Sequence, residues 1–172
     1  MKRFLLRGLA ALALALASIP FVSAQSLTDY AENKLVDAVL RGQSLGATAT
    51  LYVGLATAAS SCETGSVTEV STSGTAYSRA SVTSNLTNWA GTQSAGSTTA
   101  SSGTGGQTSN NSTITIGSTA TASWGTVTHF FLADASTAGN IWICQALTTS
   151  KTINNGDPAP TFSAGALTVT FQ

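Results

Sequence analysis

Residues 48–56 read Thr-Ala-Thr-Leu-Tyr-Val-Gly-Leu-Ala, and this stretch decides the fold class. Leu51, Val53 and Leu55 alternate with Tyr52 and Gly54, which is the two-residue period of a β-strand and predicts a central one. Strand patterns return further along the chain, over residues 76–83, 112–116, 122–133, 141–147, 149–153 and 161–171. Roughly eight strands at this spacing predict a mainly β fold, an antiparallel β-sandwich or barrel-like domain.

The composition agrees with an all-β chain and excludes several other classes. The 172 residues suit one domain, 42% of them are hydrophobic, and Ser and Thr together contribute 51. Charged residues make up only 8%. So few charges exclude a charged disordered tail, a sustained coiled coil and a nucleic-acid binder that works through a basic field.

The first residues have the three parts of a secretory signal peptide. Basic residues open the chain, residues 9–16 are apolar, and Val22 and Ala24 stand at the two positions that a signal peptidase reads. We therefore expect residues 1–24 to be a leader that is cleaved after Ala24, leaving residues 25–172 as one β-rich domain. The alternative is a retained membrane anchor, but the apolar stretch is short for a span of about 20 residues, and Pro20 interrupts it.

Two cysteines follow the leader, Cys62 and Cys144. In an exported chain such a pair predicts one disulfide, which would close a long loop and stabilise the fold by about 4 kcal/mol. The alternative is two unpaired buried thiols. Without the leader the chain has four basic and seven acidic side chains, and a net charge of −3 is too small for electrostatic steering.

Residues 27–41 are predicted to form the one helix. Leu27, Ala31, Leu35 and Val39 recur at four-residue spacing, with Val36 and Leu40 beside them. Thr28 or Asp29 can cap the start, and Gly42 follows as a C-terminal cap. The apolar stripe either packs on a sheet or docks on a neighbouring subunit.

Residues 91–111 are a low-complexity segment of Gly, Ser, Thr and Gln, which predicts a flexible loop and not a core element. The segment is either a tolerated insertion or a surface-exposed contact loop. The candidate contact residues are its polar side chains Thr92, Gln93, Ser101, Ser102, Thr104, Gln107 and Asn110.

Four strings, in this order, resemble one family of small phage virion proteins known as tail-fibre or tail proteins. They are Leu27-Thr28-Asp29-Tyr30-Ala31-Glu32-Asn33-Lys34, Trp124-Gly125-Thr126-Val127-Thr128-His129-Phe130, Lys151-Thr152-Ile153-Asn154-Asn155-Gly156-Asp157 and Ala164-Gly165-Ala166-Leu167-Thr168. The resemblance runs from about Ser26 to Thr170. It implies a non-enzymatic, β-rich virion component that assembles in multiple copies.

Three features depart from that family pattern. A signal peptide is unexpected for a virion protein assembled in the cytoplasm, the cysteine pair is not part of the pattern, and Phe131-Leu132 stands where a glycine is expected. The leader raises a second idea, a phage-type domain used outside the cell.

No motif indicates catalysis or a cofactor. His129 is the only histidine and lies within a strand pattern, so a general base or metal ligand there would need partners from elsewhere. Asp134 and Asp157 lie in turns, where aspartate commonly bonds local backbone. Metal-ligand spacing, a nucleophile elbow and a Gly-rich phosphate loop are all missing from the sequence. We therefore expect no enzyme activity, no metal and no cofactor.

Two functions remain. The first is a structural protein resembling a phage tail-fibre or decoration component, whose partners are further copies of itself or other virion or surface proteins. The second is a secreted adhesin or extracellular filament subunit that binds a glycan or a receptor. Both predict an exported location, periplasmic or extracellular, or the virion if a phage encodes the chain. Neither involves nucleic acid or stable membrane insertion after cleavage.

Overall fold

The computed structural model describes residues 27–91, 101 and 106–171, so the predicted leader lies outside the described residues. Every paired strand in the described part is antiparallel, and the prediction of a mainly β fold with one N-terminal helix is confirmed. The elements are α1 (Asp29–Leu40), β1 (Thr50–Ser61), β2 (Ser66–Glu69), β3 (Ala80–Thr83), β4 (Gln107–Ser109), β5 (Ile114–Thr115), β6 (Gly125–Ala133), β7 (Ile141–Ile153), β8 (Thr161–Phe162) and β9 (Thr168–Thr170).

The main sheet is built around β1, in agreement with the alternation of residues 48–56. One edge of β1 pairs with β6, the other pairs with β3 and then β2, and β7 follows β6. Gly54 pairs with Phe131, and a side chain at position 54 would clash with the Phe131 ring. The glycine in the strand pattern is therefore explained by the close approach of an aromatic ring.

The two small sheets, β4–β9 and β5–β8, share one core with the main sheet. Trp124 lies in this core, where its ring contacts Tyr77 edge-on and its Nε1 donates a hydrogen bond to the Thr75 carbonyl at 2.7 Å. Other buried members of this core include Val53, Leu55, Ile116, Val127, Phe130, Leu132, Ile153, Leu167 and Val169.

A smaller cluster lies on the other face of the main sheet, where Ala56, Phe131, Ala133 and Cys144 are buried. Cys144 forms a disulfide with Cys62, with 5.1 Å between the Cα atoms. The bridge joins β7 to the turn after β1 across 82 residues of sequence. Of the two alternatives for the cysteines, the structure therefore has the bridge.

Helix α1 begins at Thr28, whose Oγ1 accepts a hydrogen bond from the Ala31 N–H at 3.4 Å. The same hydroxyl donates to the Ile141 carbonyl on β7 at 2.5 Å. The Asp29 N–H donates to the Glu63 carbonyl in the β1–β2 turn. The first turn of α1 is thus attached both to β7 and to the turn that carries the disulfide.

The packing of the apolar stripe is a correction to the sequence analysis. Ala31 is buried, but Leu35, Val36, Val39 and Leu40 are exposed. The start of the predicted stripe is therefore covered at Ala31, and next to it the Tyr30 ring contacts Trp142 edge-on at 5.2 Å. Helical periodicity identified the stripe correctly, but it carries no information about which surface covers it.

Two further boundaries differ from the sequence-based prediction. Residues 107–109, expected within a flexible loop, form β4 because they pair with Thr168–Thr170 of β9. Residues 161–171, expected as one strand, form β8 and β9 with a turn at Gly165, whose φ is +77°. The Gly165 N–H donates to the Asn110 carbonyl at 2.7 Å, so this turn is fixed by a distant segment.

Candidate functional site

Only part of the candidate contact loop is described. Thr92, Gln93, Ser102 and Thr104 lie outside the described residues. Ser101 and Gln107 are exposed. Gln107 begins β4, and its Nε2 donates to Thr170 Oγ1 at 3.2 Å. The described end of the loop therefore lies beside the C-terminal strand β9.

Asn110 is not part of a contact surface, because it is buried with 1% exposure. Its Nδ2 donates to the carbonyls of Ser112 and Ser163, both at 2.8 Å, and its Oδ1 accepts the Leu167 N–H at 2.9 Å. A buried amide with these bonds joins the start of β5 to the β8–β9 turn. The assignment of Asn110 as a contact residue is thus corrected to a structural role.

An apolar groove of about 490 Å³ opens next to the described ends of the loop. Its floor comes from the main sheet and β9, and its rim from the short turn after β3 and from the end of the chain. Leu86 and Phe171 on the rim are 48% and 50% exposed. We call this surface the apolar groove, and its apolar lining is Leu51, Leu86, Trp89, Leu132, Ile143, Val169 and Phe171.

A second concavity, about 480 Å³ in volume, lies between β3 and β5 and is polar. Ser81 and Thr83 on β3 and Thr113 and Thr115 beside or on β5 are exposed and carry its hydroxyl groups. Hydroxyls both donate and accept hydrogen bonds, so this polar cleft can bind a neutral, hydroxyl-rich or amide-rich ligand. Arg79 is the charged residue among those that line it.

Arg79 is already saturated by groups of the chain itself. Its Nε and Nη2 bind the two carboxylate oxygens of Glu69, each at 2.8 Å, and Nη1 donates to the carbonyls of Ala135 and Ala138. Its guanidinium also lies 4.9 Å from the centre of the Phe131 ring. The hydrogen bond to Glu69 raises the pKa of Arg79 above its ordinary value, although burial opposes that shift. This ion pair is therefore a structural link between β2 and the β6–β7 turn.

Two neighbouring groups also have shifted pKa values. Burial raises the pKa of Tyr77 far above its ordinary value, and its hydroxyl lies 2.8 Å from Glu69 Oε1. Partial burial disfavours the charge on Asp134, but hydrogen bonds to its carboxylate, chiefly the two donated by Asn140, together lower the Asp134 pKa. In each case the shift arises from contacts that hold a strand or turn in place.

His129 lies in the middle of β6, between Ala56 of β1 and Ala146 of β7. Its Nδ1 is 2.8 Å from Thr128 Oγ1. Asp134 and Asp157 are both used in turns, since Asp134 accepts from Asn140 and Asp157 accepts the Asn154 N–H. Across residues 27–91 and 106–171, no group of three His, Cys, Asp or Glu side chains is placed to hold a metal ion.

Sequence comparison identifies the family. The profile described as Podophage GP4 fiber I protein gp80 matches residues 26–170, nearly the whole chain after the predicted leader. The chain belongs to this phage fibre family. Membership in the gp80 family confirms the resemblance that the four strings indicated, from the capped start of α1 to the turn before β9. Among curated proteins, no significant match is found.

The gp80 family relationship places the chain among phage structural and fibre proteins. In the part of the chain that the structure describes, no helix is long and apolar enough to cross a membrane. The sequence predicts the loop beside the apolar groove, but it does not predict the groove itself. Trp89 and Phe171 were visible apolar signals, but they come together because Trp89 pairs with Asn110 and β4 pairs with β9.

Proposed function

We propose that this gp80-family chain is a non-enzymatic structural subunit that acts by assembling in several copies into a fibre or onto a larger particle. The family match over residues 26–170 carries the proposal. Exposed apolar side chains on α1 and around the apolar groove support it, because contiguous apolar surface on a soluble chain is typical of interaction sites.

The electrostatics favour contact over catalysis. The Tyr77, Glu69 and Arg79 side chains bond one another and backbone carbonyls, which leaves them little capacity for a substrate. His129 has Thr128 as its neighbour and not a carboxylate. Catalytic sites typically bring a nucleophile, a base and an orienting group together, and these groups serve packing and turn formation instead.

Multimer formation is tested by size-exclusion chromatography with light scattering on the purified protein across a concentration series. The expected result is a species of at least twice the chain mass that persists on dilution. A monomer at the highest attainable concentration would overturn the proposal.

A second function, a secreted adhesin that binds a glycan or receptor, is favoured by the polar cleft with its exposed hydroxyls. Thr115→Val keeps the side-chain shape but removes one hydroxyl from the cleft, whereas Thr152→Val makes the same change on the exposed edge strand β7. Screening against glycans and host cells should show binding that Thr115→Val weakens and Thr152→Val does not. Equal binding by both variants would remove the cleft from consideration.

The contact loop belongs to the same alternative. We propose that Thr92, Gln93, Ser101, Ser102, Thr104 and Gln107 contribute to such binding, and that Asn110 does not. A deletion of residues 92–100 should abolish binding while the far-ultraviolet spectrum and melting temperature stay as in the parent. Unchanged binding by a folded deletion variant would exclude the loop.

We further propose that residues 1–24 direct export and are removed, so that the chain acts in the periplasm, outside the cell or in a virion. The mass of the protein recovered from its native source tests this directly. A chain that begins at Gln25 supports export, and a chain that retains Met1 contradicts it.

A further inference from the structure

The apolar stripe of α1, formed by Leu35, Val36, Val39 and Leu40, faces solvent along its length. These four side chains are 40%, 48%, 75% and 78% exposed. Together they expose on the order of 300 Å² of largely apolar surface. A contiguous exposed patch of a few hundred Å² is about as large as monomeric soluble proteins carry, and such patches are often functional.

The stripe lies on the half of α1 that is farther from the sheet attachments. The bonds that hold the helix come from Thr28 and Asp29 at its start, and the buried residue of the helix is Ala31. Residues 41–44 after the helix are exposed as well. The C-terminal turns of α1 therefore present their apolar side chains to a partner without any need to unfold.

The area of the stripe indicates which kind of partner surface can cover it. Two stripes packed against each other would bury about 600 Å² in total, which is below the 1,200–2,000 Å² of a specific interface. A stripe that enters a groove covers a similar area of the groove, again about 600 Å². Two such contacts related by a two-fold axis bury about 1,200 Å², which reaches the range of a stable interface.

The apolar groove has the matching chemistry. Its lining includes Leu51, Leu86, Trp89 and Phe171 but no charged side chain among the described residues. Beside the stripe, the Arg41 and Asp37 side chains neutralise each other through a 2.9 Å ion pair. Without the predicted leader each copy has a formal net charge of only −3, so two copies approach each other with little electrostatic opposition.

We propose that the α1 stripe of one copy docks into the apolar groove of a second copy, and that the reciprocal contact closes a two-fold dimer. The inference rests on the proposed multimeric function and adds to it the two surfaces that meet. Helix-in-groove docking is a common mode of recognition, in which side chains at i, i+3, i+4 and i+7 act as anchors.

The first experiment compares the variant Val39→Lys/Leu40→Lys with the control Gln43→Lys. Both replaced side chains are at least three-quarters exposed in the single chain, and lysine near a helix C-terminus is compatible with the helix dipole. The control adds the same type of charge just beyond the helix and outside the stripe. By light scattering and sedimentation, the stripe variant should raise the dimer dissociation constant about a hundredfold or more, and the control should leave it unchanged.

The second experiment identifies the surface that receives the stripe. Single variants Val39→Cys and Leu86→Cys are mixed and oxidised mildly, since the native Cys62 and Cys144 are already bridged. A disulfide between the two variants is expected, and a mixture of Val39→Cys with Thr152→Cys should give none. Bridges between two Val39→Cys chains in preference to the mixed pair would show helix-to-helix pairing and overturn the proposal.

The outcomes separate this inference from the proposed function. Multimers that persist in the stripe variant would overturn the docking of α1 but leave multimeric assembly intact. A monomeric parent protein would overturn both.

Discussion

Asn110 shows how one buried side chain joins segments that are distant in the sequence. It lies at the end of the low-complexity stretch, where nothing about its neighbours predicts burial. Its amide nevertheless bonds Ser112, Ser163 and Leu167, and its backbone carbonyl accepts from Gly165. Through these bonds Asn110 joins the segment before β5 to the β8–β9 turn, and so connects the two small sheets.

Replacing Asn110 by alanine should therefore lower the free energy of unfolding by about 2–4 kcal/mol, since several buried backbone groups lose their partner. Asn111→Ala is the matched control, because the neighbouring Asn111 makes one exposed bond to the Leu86 carbonyl and should cost less than about 1 kcal/mol. Urea unfolding followed by tryptophan fluorescence measures both. Equal losses would contradict the structural role of Asn110.

Asp134 should contribute a pH-dependent component to stability. Its pKa is lowered in the folded chain by the bonds from Asn140, so its contribution is fully present above the ordinary value of about 4 and is lost as the pH falls through the lowered value. Asp134→Asn should make the loss of stability on acidification shallower below about pH 4. Unfolding curves at a series of acidic pH values test this, and an unchanged dependence would show that other carboxylates account for it.

At the level of elements, α1 is attached by its first turn and leaves its apolar stripe exposed. Thr28 is the centre of that attachment, because it caps the helix and also bonds β7. Either interaction alone would stabilise the helix start, and together they set the direction in which the helix leaves the sheet. The sequence left Thr28 and Asp29 as alternative caps, and the bond from the Ala31 N–H to Thr28 Oγ1 identifies Thr28 as the cap.

Thr28→Val keeps the size of the side chain but removes both hydrogen bonds, and should destabilise the helix start by about 1–2 kcal/mol. Thr28→Ser retains the hydroxyl and should stay close to the parent. Hydrogen exchange should accelerate in residues 29–40 of the valine variant while the amides of β1 and β6 keep their protection. Acceleration in the serine variant but not in the valine variant would indicate that packing of the methyl group, and not the hydroxyl, holds the helix.

At the scale of the whole molecule, the main sheet and the two small sheets share one core, and a disulfide links the turn after β1 to β7 of the main sheet. The bridge connects Cys62 to Cys144 on β7, and Cys62 is next to Glu63, whose carbonyl accepts the Asp29 N–H of α1. It therefore restricts the unfolded chain over 82 residues and also ties the attachment of α1 to the edge strand.

Replacing both cysteines by serine should lower the free energy of unfolding by about 3–5 kcal/mol, since a long closed loop is released. Reduction of the parent protein should produce a similar loss, which controls for the substitutions themselves. Thermal and urea unfolding with and without reductant provide the measurement. A reduced protein as stable as the oxidised one would contradict a stabilising bridge.

Local sequence patterns were sufficient to predict several elements of the fold and the family. The alternation in residues 48–56 and 122–133 placed β1 and β6, the four-residue spacing placed α1, and the four short strings indicated the phage fibre family. The strands and the helix could be predicted because the backbone imposes the period of a strand or helix within a few residues.

Tertiary structure decided which of these surfaces is buried. It turned the α1 stripe to solvent, recruited Gln107–Ser109 into a strand with β9, buried Asn110, and assembled the apolar groove from segments that the sequence keeps far apart. The physical reason is that periodicity shows which side chains share a face of a helix or strand. What covers that face depends on strand pairings between segments that are distant in the sequence. The energies of those pairings cannot be derived from any one local stretch.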